Sequence, residues 1–123
     1  MARRVDPWLI LALLLLAVFV VLGLYNGVGE WQDAATSLQQ WAAISEITYG
    51  VLAAAAIPML LGKWRGIRSV LRTWAAAVAV AGGVAPVAWG DASVTTGVAS
   101  GLLAGVIALG VLWIVRRAQV APL

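Results

Sequence analysis

All eight Lys and Arg residues of this 123-residue chain fall in three short clusters, and the long stretches between the clusters carry no basic residue. The clusters are Arg3-Arg4, then Lys63, Arg65, Arg68 and Arg72, then Arg116-Arg117. Each gap has room for two helical passes at about 20 apolar residues per pass. Short loops rich in Lys and Arg stay on the cytoplasmic side during insertion. The pattern therefore predicts an all-α integral membrane protein, a four-transmembrane-helix antiparallel bundle with both termini inside. Residues 1–123 are read as a single membrane domain.

Composition agrees. With 63% hydrophobic and 11% charged residues, the chain cannot hide its apolar surface inside a soluble domain of this size. The net charge of +3 does not point to nucleic acid, because the basic residues lie at span ends rather than on a face interleaved with aromatics. No cysteine and no histidine occur. Disulfides, thiolate metal sites and imidazole ligation are thereby excluded for this chain, and no cofactor is expected.

Span one is expected at about 8–25, started by Asp6 as a cap and Pro7 at the first helical position. Its Leu/Ile/Val-rich run, nearly without small residues, predicts a wide lipid-facing surface. The run exceeds a signal-peptide h-region and no small-x-small cleavage site follows, so it is read as a retained anchor. Residues 26–40 are polar without a basic residue and are expected as an external loop. That loop has room for a short interfacial helix with Trp31, Leu38 and Trp41 on one face and Asp33 and Gln39 turned to water. Span two follows at about 41–61, with a kink expected at Pro58. A cytoplasmic loop, 62–70, leads to span three at about 71–89, where Gly82, Gly83 and Pro86 predict a bend or local unwinding. Gly90 to Ser93 reads as an external turn before span four at about 94–115. All seven tryptophans, Trp8, Trp31, Trp41, Trp64, Trp74, Trp89 and Trp113, fall near expected span ends and read as interfacial anchors.

Small residues recur at four-residue spacing and so share a helical face. Gly50 continues such a track on span two, Ala77, Ala81 and Ala85 form one on span three, and Gly97, Gly101 and Gly105 form one on span four. These are expected at helix contacts, either within one bundle or, for the Gly97 track, against a second chain.

Glu46 is the one ionisable residue expected well inside a span. Such residues face a protein interior or a water-filled pocket. Tyr49 lies one turn deeper, and Thr95 and Thr96 at the outer end of span four are candidates to complete a polar pocket with it. The rival reading makes Glu46 an acid at the N-terminal end of its helix, reaching the headgroup region. No nucleotide-binding loop, zinc motif, nucleophile elbow or paired catalytic carboxylate occurs, so no enzymatic activity is expected. Small multidrug transporters and fluoride channels have similar lengths, but their characteristic motifs do not occur here and no family resemblance is drawn.

Abundant packing motifs and scarce reactive groups lead to the expectation of an accessory subunit that packs against a larger membrane complex. The alternative is a self-associating small transporter or channel with an outward pocket at Glu46. Membrane lipids are expected partners in either case, and the Ala/Gly/Val-rich economy and minimal loops place the chain in a bacterial inner membrane.

Overall fold

The computed structural model describes residues 7–62, 65–90 and 93–120. Over these the chain forms four helices, α1 (Pro7–Asp33), α2 (Ser37–Leu61), α3 (Ile67–Trp89) and α4 (Val94–Val120). Each is long and apolar enough to cross a membrane. At about 1.5 Å per residue even the shortest, α3, reaches about 35 Å, against a hydrocarbon core of about 30 Å. The helices make a four-helix bundle in which sequence neighbours pack side by side and a looser seam joins α1 to α4. This architecture fits a multi-pass membrane protein. One end, the basic end, carries Arg65, Arg68, Arg72, Arg116 and Arg117; Glu30, Asp33 and Glu46 lie toward the other, the acidic end.

The helices run further than hydropathy suggests. Residues 26–33, expected as loop, are the last two turns of α1, and α2 begins at Ser37, so only residues 34–36 separate them. No separate interfacial helix forms there. Thr36 caps α2 by accepting from the Gln39 amide at 3.1 Å, while Gln39 Oε1 accepts from the Ala35 amide at 2.8 Å. This is a variant of the capping box in which the Gln39 side chain reaches the amide one residue before the cap rather than that of Thr36 itself. Gln39 is not turned wholly to water, since its Nε2 donates to the Ala88 carbonyl at the end of α3, 3.2 Å away. The expected cap at Asp6, the anchor Trp64 and the turn residues Asp91 and Ala92 lie outside the described residues.

Close backbone approach organises both halves of the bundle. A Cβ added at Gly23 would stand 2.6 Å from the Glu46 carbonyl oxygen and 2.7 Å from Gly50 Cα, so α1 and α2 meet backbone to backbone. Gly27 repeats this one turn on, against Ile47 and Ala43. Span one thus has a buried stripe, Ala12, Leu16, Gly23 and Gly27, besides its lipid-facing surface. The Gly97 and Gly101 track is used inside the chain: a Cβ at Gly97 would lie 2.9 Å from the Gly83 carbonyl oxygen, and one at Gly101 would lie 3.2 Å from Gly83 Cα. Gly105 makes only ordinary contact, 3.6 Å to Ala79 Cβ. The α3 residues against this track are Ala79, Gly82, Gly83 and Val87. Ala81 is buried on another face, and Ala77 packs half-buried against the core.

α3 remains helical through Gly82, Gly83 and Pro86, without the unwinding expected there. Proline leaves the carbonyl four residues before it without an amide donor. That carbonyl belongs to Gly82, and the Ser100 hydroxyl of α4 donates to it at 2.6 Å. A side chain on the neighbouring helix thus replaces the missing bond.

Trp31, Trp41 and Trp113 are exposed near helix ends, and Trp8 packs edge-on against Trp113 at 5.5 Å. Trp74 departs from the belt: it is fully buried and packs edge-on against Phe19, ring centroids 5.0 Å apart. Residues two apart on a helix point about 200° from one another. Arg72 therefore turns outward while Trp74 turns into the core.

Candidate functional site

The buried face of α2 is made mostly of Ala, Gly, Tyr and Leu, and Glu46 is its one charged member. At 8% exposure its side chain is enclosed by protein. About five residues, or roughly 7 Å of helix rise, separate it from the exposed Trp41 at the acidic end. Glu30 meets it from α1. The α1 stripe Leu16, Phe19, Gly23, Gly27 and Glu30 advances in steps of three or four residues, which brings Glu30 onto the α2-facing side. The glycines below it let the two helices close in, so that the two carboxyl groups come near enough to interact electrostatically.

An ionised carboxylate only accepts hydrogen bonds. With both groups ionised, Oε2 of Glu30 and Oε2 of Glu46 are buried without a donor among the described residues. Two uncompensated charges brought together here are costly, and a proton or another cation shared between them would offset that cost. Among the described residues, no Lys or Arg lines the clefts on either side of the pair.

Those clefts give the pair two approaches. The outer one, about 890 Å³, has Glu30 on its wall together with Tyr25, Asn26, Gln32, Asp33 and Trp89. The inner one, about 270 Å³, is bounded by Glu46, Tyr49 and Phe19, by Ala81, Ala85 and Pro86 of α3, and by Ser100 and Ala104 of α4. Toward the basic end a column of rings follows: Tyr49 packs edge-on against Phe19 at 5.9 Å, and Phe19 against Trp74. The rings fill the bundle centre below the carboxyls.

Of the four residues expected to form one pocket, Glu46 and Tyr49 share the inner cleft. Thr95 and Thr96 do not reach it; both are exposed, and Thr96 bonds with Ser93 at the start of α4. The α4 hydroxyl at the cleft is Ser100, about one turn deeper. Ser45 and Thr48 return their hydroxyls to the carbonyls of Trp41 and Ile44 on their own helix. Glu30 escaped sequence reasoning because it stands in a polar stretch. The spacing Gly23, Gly27, Glu30 was the signal that could have found it. No family model, no curated protein and no solved structure matches this chain.

Proposed function

We propose that this chain is a small, non-enzymatic membrane transporter in which the Glu30–Glu46 pair exchanges a proton for a second cation. The observation that carries the reading is a carboxyl pair, Glu46 buried and Glu30 half-buried beside it, without a basic partner among the described residues, standing between an open outer cleft and a closed aromatic column. Buried carboxyls in membrane helices are the groups from which proton and ion pathways are built. A shared proton cancels one of the pair's two negative charges when no other cation is bound, and a cation entering past Asp33 and Glu30 takes its place. Tyr25 and Trp89 on the outer wall suit cations that also favour aromatic faces.

In this reading the basic end is cytoplasmic, consecutive helices run antiparallel and the outer cleft opens away from the cytoplasm, following the distribution of Lys and Arg. The compartment is a bacterial inner membrane. Reconstitution into liposomes tests the function: a cation gradient of sodium, potassium or tetramethylammonium should drive proton counterflow. Glu46→Gln and Glu30→Gln should each abolish it with assembly intact. Counterflow at the wild-type rate in both variants contradicts the reading.

The looser α1–α4 seam supports a second reading, an accessory subunit of a larger membrane complex. Apolar side chains on both helices, such as Val21 and Leu102, are exposed and available to partner helices as well as to lipid. Purification in mild detergent separates the two readings. Stoichiometric companions support the subunit, and an isolated active chain or homo-oligomer supports the transporter.

A further inference from the structure

At the basic end, away from the carboxyl pair, a cleft of about 350 Å³ lies between the start of α3 and the finish of α4, lined by Arg68, Leu71, Arg72, Leu112, Val115 and Arg116. Arg68 and Arg72 are one turn apart and share a face of α3, and Arg116 comes from α4. Three guanidinium groups on one cleft repel one another unless an anion joins them. Among the described residues the carboxylates Glu30, Asp33 and Glu46 all lie toward the other end of the bundle. The N-terminus of α3 adds to the positive field, because Gly66 supplies no side-chain cap for its first amides. The lower wall is apolar, with Leu71 and Val115 buried. Leu109, about one turn further along α4 from Leu112, is exposed.

We infer that this cleft binds the phosphate of an anionic membrane lipid. Guanidinium forks match phosphate oxygens in bidentate pairs, and arginine is suited to that geometry beyond its charge alone. Basic pockets between membrane helices are suited to anionic headgroups. The apolar wall continuing toward Leu109 offers a path for an acyl chain, which a soluble phosphate compound would leave unused.

Titration of the purified full chain in neutral detergent with phosphatidylglycerol, followed by native mass spectrometry, tests the site. Saturable binding is expected. Arg72→Gln and Arg116→Gln should each weaken it roughly tenfold, the usual scale for one charge-assisted contact. Arg117→Gln removes the same charge at the same end, but Arg117 lies over the Trp113 ring at 5.0 Å and does not line the cleft. It should therefore weaken binding distinctly less. Arg72→Lys, which keeps the charge and loses the fork, should fall between wild type and Arg72→Gln, and it serves if the glutamine variant does not fold. Equal weakening by Arg117→Gln would reduce the effect to general charge attraction and overturn the site. Displacement of the lipid by excess inorganic phosphate would assign the arginines to a soluble phosphate ligand and overturn the lipid as occupant. Non-saturable binding would also overturn the proposal.

Discussion

Gly23 and Gly50 have no substitute of ordinary size, because what a side chain would meet at either is backbone, which has no rotamer by which to retreat. Gly23→Ala must push α1 from α2, with an expected loss of roughly 1–3 kcal/mol in unfolding by denaturing detergent. Gly29→Ala, at a position with nothing within 4 Å, is the control and should leave stability unchanged. Separating these helices also separates Glu30 from Glu46, so the same Gly23 variant should lose cation-driven proton flux. Ser100 acts at the same scale. Ser100→Ala strands the Gly82 carbonyl beside Pro86, which should cost about 1–2 kcal/mol and loosen α3 from α4. Faster amide exchange around Gly82 would report that loosening, and wild-type exchange would contradict it.

At the scale of elements, four apolar helices were legible because hydropathy and the spacing of basic clusters report where the chain enters and leaves lipid. Helix length was not. Intrahelical hydrogen bonds continue past the hydrocarbon boundary, so the polar turns from Asn26 to Asp33 stay helical and bring Glu30 inward. The capping pair Thr36 and Gln39 was present in the sequence as a local signal for the start of α2. Thr36→Ala should cost about 1 kcal/mol and fray the first turn of that helix, measurable as lower thermal stability. Trp74 was misplaced because nearness to a basic cluster fixes depth without fixing direction around the helix. The bond from Ser100 to Gly82 joins positions 18 apart and was not legible from local pattern.

For the whole molecule, the basic side chains among the described residues gather at one end and the carboxylates lie toward the other. Reporter fusions at Gly66 should report cytoplasm and fusions at Asp33 the opposite side; an external signal at Gly66 would contradict the orientation proposed for the outer cleft. In the proposed transporter the aromatic column of Tyr49, Phe19 and Trp74 would be the barrier between the carboxyl pair and the basic end. Phe19→Ala should cost about 3–5 kcal/mol as a core truncation and raise proton leak through liposomes, whereas an unchanged leak would place the barrier elsewhere. The exchange of a proton for a cation at Glu30 and Glu46 is tested most directly by adding sodium, potassium or tetramethylammonium to the purified protein in weakly buffered detergent and following proton release. The account predicts saturable release by at least one of these ions, absent from Glu46→Gln. No release from the wild type with any of them, or equal release from the variant, would contradict it.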